Sequence, residues 1–165
     1  MELTKEQLRD LVRDGKIELG DGEVLRFTEL PDEDTRVGDY DCYGKVEHIW
    51  RGYGQSQRPN GFDGMAEKIH TGRDEFWWQP PDDLRSGWAT SETRSALRSV
   101  VRDILSYGFS IYKVEWCRGE CVHGDPIIVD YATIGGVEPF ADDDDKVGYV
   151  ADLVAELSDT CVGVA

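Results

Sequence analysis

The sequence predicts an α+β fold in a single domain, a mainly antiparallel sheet of four to six strands with two or three helices packed on it. Three observations lead there. Paired runs of β-branched and aromatic residues are closed by glycine-containing turns, as in hairpins. Other segments place apolar residues at helical spacing. No regular strand-helix-strand alternation is present to build a parallel sheet. A chain of 165 residues suits one core, and 17 aromatics among 39% hydrophobic residues set it apart from disordered compositions.

The elements follow in order. Thr4 and Gln7 have the spacing of a reciprocal capping box, Leu8, Leu11 and Val12 form one stripe, and Gly15 offers a left-handed stop, so a helix is expected over 5–14. Ile17 to Leu19 and Glu23 to Thr28 flank Gly20-Asp21-Gly22 and read as a hairpin. Pro31 and the acids behind it are expected to break the pattern into a loop reaching Asp39. Tyr40 to Trp50 and Glu67 to Gln79 read as two strands, the second bent at Gly72 and stopped by Pro80-Pro81. Between them, residues 51–64 (RGYGQSQRPNGFDG) carry glycine and polar residues with no aliphatic side chain; ordered loops of that length usually have a job.

Ala96, Leu97, Val100, Val101, Ile104 and Leu105 predict a helix over 91–105 that covers one face of the sheet, capped by Thr90 or Ser91 and ended by Gly108. Phe109 to Trp116 and Pro126 to Thr133 form a second hairpin, closed at Gly135-Gly136. A last helix is expected over 147–157, with Val150, Leu153, Val154 and Leu157 inward. The chain thus reads as an acidic helix and hairpin (1–40), a Trp-rich sheet and helix (41–140) and an acidic run with a C-terminal helix (141–165).

Charge narrows the function. The net charge is −16, and acids against bases run 12 to 6 over residues 1–40, 12 to 11 over 41–120 and 10 to 1 over 121–165. Broad nucleic-acid binding and anionic membranes are disfavoured, since both need a positive surface. No apolar run is long enough for a membrane helix, and the start lacks the apolar core of a signal peptide, so a cytoplasmic location is expected. In that reducing setting Cys42, Cys117, Cys121 and Cys161 read as free thiols.

Candidate chemistry is sparse. Cys117, Cys121 and His123 offer a zinc-type donor set at irregular spacing with no second pair, and are read as ordinary hairpin residues. Asp142 to Asp145 fails the calcium-loop pattern and suits a helix N-terminus. Arg94, Arg98 and Arg102 form a ridge whose commoner use is pairing with the protein's own acids. No nucleophile elbow, phosphate loop, HExxH or dinucleotide motif occurs, so no cofactor, metal or catalytic residue is assigned. Asp63, Glu67 and His70 are the best remaining acid-base group, and the reading favours binding over catalysis.

Three stretches, RPNGFDGMAEKI at 58–69, WWQPPDDL at 77–84 and PIIVDYATIGGVEPFADD at 126–143, resemble a family of small uncharacterised accessory proteins of actinobacteriophages. The resemblance implies a protein acting in a host cytoplasm, where small acidic phage products bind host proteins; it carries over no functional residue. The expectation is therefore a non-enzymatic acidic protein that binds and modulates a host protein. Alternatives are a nucleotide or small-ligand binder, possibly an enzyme, with the 51–64 loop as a lid, and a virion component. Tryptophan, tyrosine and arginine dominate interface energies, which selects Arg51, Tyr53, Arg58, Phe62, Asp63, Trp77 and Trp78 as the binding residues.

Overall fold

The computed structural model describes residues 2–50, 57–84, 91–120, 123–139 and 141–160. The fold is α+β, with three α-helices and seven strands among the described residues. The strands divide over two antiparallel sheets, of four and three strands, and the chain over two compact units, residues 1–32 with 109–165, and residues 33–108. Among the described residues no helix is long and apolar enough to cross a membrane.

Unit 1 holds α1 (Lys5–Asp14), β1 (Lys16–Gly20), β2 (Glu23–Asp32), β6 (Phe109–Glu120), β7 (Pro126–Val137) and α3 (Asp143–Thr160), in the sheet order β1-β2-β6-β7. The capping box forms as its spacing requires: Gln7 N–H donates to Thr4 Oγ1 at 3.2 Å and Thr4 N–H to Gln7 Oε1 at 2.9 Å. Gly15 ends α1 at φ 73°. The β1-β2 turn takes positive φ at Asp21 (53°) and Gly22 (78°), the twist-matched geometry of tight hairpins.

α1 and α3 cover this sheet. Leu11, Leu25, Tyr112, Val114, Val150, Leu153, Val154 and Leu157 form the core between them. α3 begins at Asp143 rather than 147 because Asp142 Oδ1 accepts the Asp145 N–H at 2.8 Å, and the acidic first turn suits the positive helix end.

Two breaks expected in unit 1 do not occur. β2 runs through Pro31, because β1 pairs only as far as Arg26 and leaves Pro31 on an edge where no N–H is needed. β7 runs through Gly135-Gly136, which instead admit Asp32. Its carboxylate accepts from Gly136 N–H at 2.8 Å, and a Cβ on Gly135 would stand 2.9 Å from Asp32 Oδ2.

Unit 2 holds β3 (Lys45–His48), β4 (Glu67–His70), β5 (Glu75–Gln79) and α2 (Ser91–Tyr107). Tyr40 to Trp50 is a strand only in part: single 3₁₀ turns at Val37–Asp39 and Asp41–Tyr43 precede β3. Glu67 to Gln79 is a hairpin rather than one bent strand. Gly72 lies in a turn where Thr71 Oγ1 accepts Asp74 N–H at 3.0 Å and Thr71 N–H donates to Asp74 O at 2.9 Å. α2 lies against β4, burying Val101 and Ile104, with Arg98 Nη2 donating to Lys68 O at 2.5 Å. Gly108 stops it at φ 76°.

Candidate functional site

Strand order in unit 2 decides where the long loop goes. β3 and β4 both pair antiparallel to the central β5, so they run parallel to each other. The connection leaves β3 where Ile49 N–H donates to Glu75 O at 2.8 Å and re-enters where Glu67 faces Trp78, at the opposite end of β5. It therefore crosses the sheet. The loop base does not lie between Trp50 and Glu67, as a directly paired β3-β4 would require.

This crossover brings the loop to Gln79 without any bend in β5. Asp63 N–H donates to Gln79 Oε1 at 2.8 Å, and Gln79 Nε2 donates to Asp63 Oδ1 at 2.9 Å. Asp63 Oδ1 also accepts from Met65 N–H at 2.8 Å. A buried glutamine thus clamps the end of the loop.

The expected site residues separate. Arg51 and Tyr53 lie outside the described residues. Arg58 is exposed and Phe62 half-buried in the loop. Trp77 and Trp78 point to opposite faces of β5, as consecutive strand residues must. Trp78 is fully buried and its indole donates to Tyr43 O at 2.7 Å, which makes it a core residue and removes it from any contact surface. Trp77 is half-buried between Glu47 and Lys68 in register, with the Lys68 ammonium 5.4 Å from its ring centroid, and its buried Nε1 has no hydrogen-bond partner among the described residues.

Trp77 forms one wall of a cavity of about 350 Å³. Glu47, His48 and Ile49 supply a second wall, and Gln57, Pro59 and Asn60 of the loop a third. Beside it, His48 Nε2 lies 3.1 Å from Asp74 Oδ1, while the ring meets Trp50 edge-on at 4.3 Å and Phe76 at 4.9 Å. Trp50 is 63% exposed. The histidine is held by one carboxylate and enclosed by aromatic rings, an arrangement that fixes an aromatic surface more readily than it activates a nucleophile.

Sequence reasoning named none of Glu47, His48, Trp50, Gln57 and Asn60 as a site residue, although Gln57 and Asn60 lie in the 51–64 loop that it singled out. Strict alternation within 45–50 would put His48 and Trp50 on one face, but the faces of Tyr40 to Trp50 read ambiguously, and the crossover that sets Gln57 and Asn60 opposite Trp77 is a tertiary fact.

Among the described residues the other candidates are not assembled as sites. Asp63 is held by Gln79, Glu67 lies 3.6 Å from Arg98 and His70 lies 3.8 Å from Glu75, so no acid-base group forms from Asp63, Glu67 and His70. Arg98 of the ridge is used inside unit 2, on Glu67 and the Lys68 carbonyl. In unit 1 Cys117 is buried, and burial, followed by the nearby Glu115, pushes its thiol upward, away from the thiolate a metal needs. His123 is exposed, and Cys121 lies outside the described residues.

The chain matches no protein-family model, no curated protein and no solved structure.

Proposed function

We propose that this chain is a non-enzymatic binding protein that engages and modulates a host protein in the host cytoplasm, using the crossover face of unit 2. The observation that supports this reading best is Trp50, 63% exposed yet fixed edge-on against His48. A rigid, exposed indole gives a large contact area at little entropic cost, the property of residues that anchor interfaces. Arg58 is exposed on the same crossover, and the phage-like stretches make a host protein the natural partner. The excess of acids over bases favours a basic partner surface and faster encounter.

A second reading rests on a specific observation. A cavity of about 350 Å³ lined by Trp77 and by Gln57 and Asn60, whose side chains end in amides, suits a small polar ligand such as a nucleobase.

Tagged wild type and Trp50→Ala are passed through lysate of an actinobacterial host, and bound protein and nucleotide are quantified. One stoichiometric protein lost with Trp50→Ala, at an unchanged melting temperature, supports the first reading. A nucleotide retained in place of protein supports the second, and a partner held equally by both variants overturns the role of Trp50.

A further inference from the structure

Asn60 is the only asparagine among the 165 residues, and glycine follows it. The pair forms the middle of a four-residue turn: Phe62 N–H donates to Pro59 O at 3.2 Å, and Gly61 takes φ 88° while Asn60 stays at negative φ, the type II pattern. Both residues are exposed, and neither makes a hydrogen bond or ion pair among the described residues. A Cβ on Gly61 would meet nothing within 4 Å, so no neighbour presses on this peptide. Asn60 also lines the cavity of about 350 Å³ that Glu47 and Trp77 share.

An asparagine amide is an electrophile for the backbone nitrogen of the residue after it. Three things ordinarily prevent the attack: a side chain on that next residue, a hydrogen bond on its N–H, and a partner for the amide. None of the three is present at Asn60-Gly61 among the described residues. Two aspartate-glycine steps show the contrast. After Asp14, Gly15 N–H donates to Leu11 O at 2.9 Å, and before Gly64 the Asp63 carboxylate is held by Gln79 and Met65. An ionised carboxylate is, besides, a poor electrophile.

We propose that Asn60 is a self-modifying residue, whose amide the chain converts to a carboxylate without an enzyme. Gly61 N gives up its proton to solvent and attacks Asn60 Cγ. The N–Cγ bond forms, the Cγ–Nδ2 bond breaks and ammonia leaves with a proton from water, closing a five-membered succinimide ring. Water then opens the ring at either carbonyl. Attack at Cγ returns aspartate, while attack at the main-chain carbonyl leaves isoaspartate, whose backbone runs through Cβ and Cγ and is one carbon longer. Either product sets a second carboxylate in the cavity with Glu47 and removes the N–H donors of the amide. The wall made by Gln57, Pro59 and Asn60 thus passes, one way, from neutral to anionic as the protein ages. This chemistry depends on neither the Trp50 surface nor a bound ligand.

The test is incubation of the intact chain at neutral and at mildly alkaline pH, beside the free peptide Arg-Pro-Asn-Gly-Phe-Asp-Gly, with peptide mapping by mass spectrometry. The expected result is a mass gain equal to the change from an amide NH₂ to a hydroxyl, confined to the Asn60 peptide, divided between isoaspartate and aspartate, and faster at the higher pH. A single turn hydrogen bond opposes the motion, so the native chain should react within about tenfold of the free peptide. Asn60→Gln, which would have to close a larger ring, should show no gain. The effect on the cavity is read from Asn60→Asp at low salt, with the Trp77 emission taken as the difference from the matching Trp77→Phe chain. Quenching by iodide should fall and quenching by caesium rise, because the new carboxylate repels one ion and attracts the other. A native chain left unmodified while the free peptide is consumed, or an equal gain in Asn60→Gln, would overturn the modification site. Unchanged quenching by both ions in Asn60→Asp would overturn its effect on the cavity.

Discussion

The loop clamp of unit 2 gives the sharpest test of how the crossover is held. The buried Gln79 amide makes two reciprocal hydrogen bonds to Asp63, at 2.8 and 2.9 Å, the second to a carboxylate. A neutral hydrogen bond is worth about 1 kcal/mol net and one to a charged group about 1.5 to 3, so together they could reach about 2.5 to 4 kcal/mol. Asp63 is exposed, and water replaces part of what it loses. Gln79→Ala is therefore expected to cost about 2 to 3 kcal/mol. In urea, with a slope of about 2 kcal/mol per M, the unfolding midpoint of unit 2 moves down by about 1 to 1.5 M. Gln79→Glu sharpens the test, because it keeps one acceptor but places a second carboxylate beside Asp63. It should be less stable than Gln79→Ala at pH 7. The like-charge pair raises its carboxyl pKa in the folded state, so the penalty exists above that pKa and fades as the pH falls to about 4, where the pair shares a proton. A midpoint shift below about 0.3 M for Gln79→Ala, or a Gln79→Glu variant as stable as wild type at pH 7, would refute the clamp.

Other outcomes follow from single contacts. Trp78→Phe, which removes the indole hydrogen bond to Tyr43 O in the core, should lose about 1 to 3 kcal/mol, while Trp77→Phe, whose indole N–H has no hydrogen-bond partner among the described residues, should lose less than about 1; denaturant titration of the pair decides. Gly44→Ala should fail to fold or melt far lower by calorimetry, because φ is 82° and the new Cβ would stand 2.1 Å from Gln79 O. The Tyr112 phenol is pushed up to about 12 by burial and then by Glu29, so the unfolded chain ionises first, near the ordinary value of 10.0. Stability should hold below about pH 10 and fall between about 10 and 12, a loss absent from Tyr112→Phe when melting temperatures are followed against pH. Asp130 Oδ1 accepts its neighbour Tyr131's N–H at 2.9 Å on the edge strand β7, where Ile127, Ile128 and Val129 are exposed. Asp130→Ala should increase self-association in sedimentation velocity, since an unguarded apolar edge pairs with other strands.

What the sequence determined by itself is local. The Thr4-Gln7 box, the Gly15 and Gly108 stops, the Gly20-Asp21-Gly22 turn and the inward stripe of α3 all act within a few residues, where side-chain reach and allowed φ values leave one good solution. The α+β class follows from them. The limits of the strands did not, because they depend on partners far along the chain. Pro31 remains in β2 because β1 stops short of it, and Gly135-Gly136 remain in β7 because Asp32 needs the space. In the candidate site, alternation separated Trp77 from Trp78, but only the β3-β5-β4 order buried Trp78 beneath Tyr43 O and carried the loop back across the sheet to Gln79. Strand order carries no periodic signature in sequence. It is fixed by which pairings bury Ile69 and Trp78 together, a sum over contacts between distant residues, and so the tertiary structure alone decided where the loop and its cavity lie.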